Sequence, residues 1–140
     1  MTLSLVSPKD IPYVWCEVKP LIEKALSYNS GEMDSFDVLH HLLTKVQMLW
    51  VGTNEDKIFC AGTTEIINYP KKRVFRIVTF ATKSGHDYEL WKDFIYTLED
   101  AAKTCGCTLI EAWVRKGLAR KLKWDSEHSV ITKTIKEDNS

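Results

Sequence analysis

Residues 73–114 read RVFRIVTFATKSGHDYELWKDFIYTLEDAAKTCGCTLIEAWV, and the order of patterns within them decides the fold. Arg73 to Ala81 alternates, with Val74, Arg76, Val78 and Phe80 against Phe75, Ile77, Thr79 and Ala81, which predicts a strand. The loop Thr82-Lys83-Ser84-Gly85-His86-Asp87 follows. Trp91, Phe94, Ile95, Leu98, Ala101 and Ala102 then recur at helical spacing, and Gly106 stops that helix. Thr108 to Val114 reads as a buried strand. A strand, helix and strand of this length implies parallel neighbours joined by a right-handed crossover.

Working outward, Thr2 to Val6 alternates as a short strand. Ser7-Pro8-Lys9-Asp10 offers an N-cap serine with proline at the first helical position, ahead of Ile11, Val14, Trp15, Val18, Ile22, Ala25 and Leu26 at three- and four-residue intervals. Pro12 and Pro20 are expected to shift the start or bend the middle. Asn29-Ser30-Gly31 breaks that helix, and Asp34 or Ser35 caps a second, short one through Leu39, Leu42, Leu43 and Val46. Strands are expected over Met48–Gly52 and Lys57–Asn68, turning at Asn54-Glu55-Asp56, with Tyr69-Pro70-Lys71-Lys72 as the next turn. Past the central unit, residues 115–123 suggest a short basic helix and His128 to Ile135 a final strand. The order β-α-α-β-β-β-α-β-α-β describes an α+β domain with a mixed, mostly antiparallel sheet flanked by helices.

The chain has 140 residues, enough for one domain over 1–136 with a short polar tail at 137–140. Its 44% hydrophobic content fills one core. Lys plus Arg equals Asp plus Glu at 19 each, so no global field draws in nucleic acid or an anionic membrane, and neither is an expected partner. No apolar run approaches the roughly 18 residues of a bilayer span, and the start lacks the pattern of a signal peptide; a cytosolic protein is expected. Cys16, Cys60, Cys105 and Cys107 are scattered and read as reduced; Cys105-Gly106-Cys107 is not a Cys-x-x-Cys pair. His40-His41 point about 100° apart on a helix and cannot form a metal pair, and His86 and His128 have no ligands at metal spacing. No metal is expected. No nucleophile motif of a hydrolase occurs.

This order of elements resembles the GCN5-related N-acetyltransferase (GNAT) fold over nearly the whole chain. Leu49-Trp50-Val51, Ala61-Gly62-Thr63-Thr64-Glu65-Ile66, Tyr69-Pro70, Gly85 followed by Trp91, Gly106-Cys107, and Ile110-Glu111 with Arg115-Lys116-Gly117 are similar, more narrowly, to small GNAT-like proteins encoded by bacteriophages. The resemblance implies an acyltransferase ancestry, acetyl-coenzyme A as cofactor and a place in the host cytoplasm. In such folds the loop before the central helix presents backbone N–H groups to the pyrophosphate, and the helix N-terminus adds about half a positive charge. That assigns Lys83, Ser84, Gly85, His86 and Asp87 to coenzyme binding.

The loop departs from the family pattern of Gln or Arg, two residues, Gly, one residue, then Gly or Ala. Gly85 in the first glycine position puts Thr82 and Asp87 in the others; in the second it brings Phe80 and Lys83. The Asp87 carboxylate is itself an N-cap and competes for the donors a pyrophosphate needs. Acetyl transfer requires a base for the ammonium and an acid for the thiolate. Glu65 and Glu111 are the strand carboxylates available as base, with the alternative that each is a strand-edge residue facing water or pairing with Arg or Lys. The family's tyrosine has no counterpart in Leu118-Ala119-Arg120-Lys121-Leu122.

Arg115, Lys116, Arg120, Lys121 and Lys123 put five cations into nine residues beside Trp124, an aromatic-and-basic patch suited to a partner. Two roles stay open. One is an N-acetyltransferase acting on a small-molecule or protein amine. The other is a non-enzymatic virion protein or interaction module, partnered by other phage structural proteins in head assembly or DNA delivery.

Overall fold

The computed structural model describes residues 2–27, 33–83, 87–112, 133 and 135, and only the backbone of 87–91. Its elements are β1 (Thr2–Val6), a 3-10 turn (Pro8–Asp10), α1 (Ile11–Leu26), α2 (Ser35–Leu43), β2 (Met48–Asn54), β3 (Lys57–Tyr69), β4 (Lys72–Thr82), α3 (Asp87–Thr104) and β5 (Leu109–Ala112). The five strands form one sheet in the order β1-β2-β3-β4-β5. Strands β1 to β4 are antiparallel neighbours, and β5 runs parallel to β4. The helix expected over 115–123 lies outside the described residues. Of the strand expected over 128–135, Lys133 and Ile135 are described, and neither is paired in the sheet.

Local chemistry explains most boundaries. Ser7 makes no side-chain cap; Pro8 to Asp10 instead forms a single 3-10 turn closed by the Asp10 N–H on the Ser7 carbonyl at 2.9 Å, which moves the start of α1 to Ile11. Helix α2 opens on a capping box: the Asp37 N–H donates to Asp34 Oδ1 at 3.0 Å, and the Asp34 N–H donates to Asp37 Oδ2 at 2.9 Å. Between β2 and β3, Glu55 and Asp56 both take positive φ, 52° and 64°, as a two-residue type I′ hairpin requires. Helix α3 ends at Thr104 and is closed off by Gly106, φ +77°, with the Cys107 N–H on the Ala102 carbonyl at 2.9 Å.

The sheet separates two cores. On one face, Ile11, Val18, Leu21 and Ile22 of α1 and Val38 and Leu42 of α2 pack on Leu49, Val51, Ala61 and Ala81. On the other, Phe94, Ile95 and Leu98 of α3 pack on Trp50, Phe75 and Ile77. Strand β4 serves both by breaking its own alternation. Thr63 pairs with Thr79 but Thr64 pairs with Ile77, so Val78 is a bulge. Before it Phe75 and Ile77 face α3; after it Phe80 does, its ring centroid 4.5 Å from that of Phe94. The strict alternation expected over 73–81 is therefore reversed at Val78, because the extra residue turns the pleat over.

Buried polar groups on these strands are paired: Thr63 with Thr79 through their hydroxyls at 2.7 Å, and Trp50 Nε1 donating to Thr64 Oγ1 at 2.9 Å. The four cysteines are free in this structure, and burial pushes the Cys60 thiol up to about 11 despite a backbone hydrogen bond from Gly52. Among the described residues no helix is long and apolar enough to cross a membrane.

Two predictions follow from this packing. A Cβ on Gly62 would lie 2.6 Å from Phe94 Cζ and 2.9 Å from the Thr79 carbonyl oxygen, a backbone atom of the paired strand. Gly62→Ala is therefore expected to cost about 2–3 kcal/mol of unfolding free energy in urea titrations; a loss within error would mean the strands part freely there. The backbone N–H of Asp37 holds the Asp34 carboxyl below its ordinary range, against the opposing effect of desolvation. A depressed carboxyl contributes stability that is present above its unfolded pKa, about 3.9, and is lost as pH falls through the folded value. Asp34→Ala should accordingly flatten the acid limb of the stability curve and leave its alkaline limb unchanged.

Candidate active site

One rung of the sheet carries the chemistry. Arg76 on β4 is the register partner of Glu65 on β3 and of Glu111 on β5. Its neighbours Phe75 and Ile77 face α3, so the pleat turns Arg76 to the α1 face. There its guanidinium donates from Nε to Glu111 Oε1, from Nη1 to Glu65 Oε1 at 3.3 Å, and from Nη2 to the Tyr69 hydroxyl at 3.2 Å. The side chains of Arg76, Glu65 and Glu111 are 16%, 17% and 30% exposed. Burial works against the Arg76 charge, but the bond to Glu111 and the charges of Glu111, Tyr69 and Glu65 outweigh it and raise its pKa.

The two candidate bases, far apart in sequence, are thus brought to one cation. The alternative reading of each, pairing with an arginine, is what the structure displays, and the arginine is the same for both. Arg76 is the residue that sequence reading missed, noted there as one more member of an alternating strand. A usable signal was present: a charged residue inside a central apolar strand needs a partner on a neighbouring strand.

Among the described residues β4 and β5 pair from Val74–Leu109 to Ile77–Ala112, the last described residue of β5, and β4 continues to Thr82. At that end of β4 stand two lysines. Lys24 of α1 donates from Nζ to the Thr82 carbonyl at 3.0 Å, and Lys83 is exposed, its backbone N–H on the Phe59 carbonyl at 2.7 Å. Asp87 is the first residue of α3. Ser84, Gly85 and His86 lie outside the described residues, as do Arg115, Lys116, Arg120, Lys121, Lys123 and Trp124. No group of His, Cys, Asp or Glu among the described residues could hold a metal ion.

No protein-family model matches the chain, and no curated protein matches its sequence. Solved structures do match. Ribosomal-protein-alanine N-acetyltransferase from Brucella melitensis biovar Abortus 2308 gives a TM-score of 0.73 over 96% of this chain and 100% of that one, at 13% identity. An aminoglycoside acetyltransferase from an uncultured soil metagenomic sample, in complex with sisomicin, gives 0.71 over 98% and 96%, at 16% identity. A predicted acetyltransferase from Clostridium acetobutylicum, solved with acetyl-CoA, gives 0.66 over 94% and 95%, at 14% identity. At such identities the likeness is one of fold: a mixed five-stranded α+β sheet with three helices, arranged as in the GNAT acetyltransferases.

Proposed function

We propose that this chain is an acetyl-CoA-dependent N-acetyltransferase whose acceptor is an amine. The observation that carries this reading is the convergence of Glu65 and Glu111 on the one guanidinium of Arg76, on a fold shared with acetyltransferases, one of them solved with acetyl-CoA.

The end of β4 suits an anionic coenzyme. Lys83 is exposed, the Lys24 ammonium is fixed at the Thr82 carbonyl, and the first turn of an 18-residue helix offers unpaired N–H groups and a positive dipole end. Lys83 to Asp87 would hold the pyrophosphate, with Lys24 as a further cation and the Asp87 carboxylate as an opposing charge that lowers affinity. When bound, acetyl-CoA supplies the acetyl group as a thioester. The chain's own part is to take a proton. Glu65 or Glu111, each with one oxygen committed to Arg76, accepts it from the ammonium at its other oxygen, and Arg76 holds both carboxylates in place. A second reading, a non-enzymatic protein that keeps the fold as an interaction module, is compatible with the same three-way clamp, since a guanidinium that ties β3, β4 and β5 together also serves as a staple.

Thermal-shift titration separates the two. Acetyl-CoA at 100 times its dissociation constant should add about 2.7 kcal/mol of stability, and an unchanged transition at millimolar ligand removes the enzyme reading. Staple strength is read independently from Arg76→Met, which strands two partly buried carboxylates. A fully buried pair would cost about 3–5 kcal/mol on such a change, and the residual exposure here reduces the expectation to about 2 kcal/mol. An unaltered urea midpoint would show that the clamp does not hold the strands.

A further inference from the structure

Strand β1 ends the sheet among the described residues: it pairs with β2 on one side, and on its other side it makes no backbone hydrogen bond among them. Proteins ordinarily guard such an edge with a charged side chain, a proline or a bulge. Thr2-Leu3-Ser4-Leu5-Val6 has no charge and no proline. Its register with β2 runs from Thr2–Thr53 to Val6–Leu49 without a shift, so the edge is regular along its whole length.

The side chains of this edge are sorted by face. Leu3 packs on the α3 core and Leu5 is the partner of Trp50 in that core, whereas Val6 packs on the α1 core and Ser4 is the partner of Val51 there. Both leucines therefore stand on the α3 face. Leu5 is 51% exposed although it borders Trp50, which is 6% exposed. The α3 core thus runs out to this edge and is left open there.

We propose that β1 is a docking edge for a second copy of this chain, the two β1 strands pairing antiparallel about a two-fold axis at Ser4. Symmetry and pleat fix the register. A two-fold axis perpendicular to the sheet keeps each residue on its own face, and directly opposed residues of an antiparallel pair share a face. Opposed residue numbers must therefore be equal or differ by an even amount. Among those registers, Ser4 opposite Ser4 pairs all 5 residues of both strands. It sets Leu3 of each copy opposite Leu5 of the other, so that the leucines continue the α3 core across the junction.

Charge selects the same occupant. β1 is uncharged, and the 19 basic and 19 acidic residues of the chain cancel, so two copies approach without net repulsion, while an acidic or basic partner gains nothing from this edge. A standard interface uses about 20–30 residues a side, so a pairing built on one short strand forms at high concentration and dissociates on dilution. The association does not depend on the acetyltransferase reading: the Glu65–Arg76–Glu111 rung lies on β3, β4 and β5, with β2 between it and β1.

The test is sedimentation velocity of the full chain from low micromolar to near-millimolar concentration, where the mean mass should rise toward that of two chains. Leu5→Lys, at an exposed position, should weaken the association roughly tenfold or more and leave the circular dichroism unchanged. Cross-linking reads the register without relying on that variant. With diamide as oxidant, Ser4→Cys brings two thiols directly opposite each other, at a Cα separation of about 4.5–5.5 Å, and should give a disulfide-linked dimer. Thr2→Cys, whose two copies stand at opposite ends of the pair, should give no more cross-link than the unsubstituted chain with its exposed Cys16. A chain that stays monomeric throughout overturns the pairing. So does a dimer that a folded Leu5→Lys leaves equally tight, or one that Thr2→Cys locks as readily as Ser4→Cys.

Discussion

Val78 has no partner on β3, and this one surplus residue sets up the rest of the molecule. Without it, β4 would turn Phe75, Ile77, Thr79 and Ala81 to a single face. With it, Phe75 and Ile77 belong to the α3 core, Ala81 to the α1 core, and Phe80 returns to α3 to pack on Phe94. Both cores are thereby filled from a strand of only 11 residues. The same reversal explains why residue 62 is glycine. Phe94 is held close to the sheet by Phe80 and leaves no space for a side chain on the paired strand.

The bulge also marks where the sheet changes character. Up to Ile77 the β4–β5 ladder is regular, and Arg76–Glu111 and Ile77–Ala112 are the described rungs nearest the bulge. Among the described residues this parallel pair has four rungs, and its strands are joined in sequence through α3. Arg76 reinforces it across three strands at once. The hydroxyl pair of Thr63 and Thr79 lies beside this rung, so the polar side chains of the α1 face are gathered at the bulge rather than spread along the sheet.

Legibility in the sequence followed the range of each signal. The strand, helix and strand of 73–114, the hairpin at Glu55-Asp56 and the helix stop at Gly106 rest on patterns within about a dozen residues, and each formed near its expected position. The bulge was hidden because Val78 and Thr79 are both β-branched and both buried, so neither parity of the pattern stands out. Ser7 carried a valid cap signal that Pro8 overrode by favouring a 3-10 turn. The site divided in the same manner. Glu65 and Glu111 could be picked as strand carboxylates, but their meeting depends on the β3–β4–β5 registers, which no local pattern encodes.

Arginine is the only residue that fits position 76 as the structure uses it. Three donors leave the guanidinium in different directions, toward Glu111, Glu65 and Tyr69, and each reaches a different strand segment. A lysine ammonium is a point charge that could satisfy one carboxylate well and would let the other turn toward water. Sharing has a further effect on chemistry. A carboxylate that gives both oxygens to an arginine is closed to any other proton or cation, whereas one that gives a single oxygen is oriented and still open. By dividing one guanidinium between two glutamates, the rung obtains two oriented acceptors and a net negative charge from three side chains. Stapling the sheet and leaving one oxygen of each carboxylate uncommitted are therefore compatible in the same three residues.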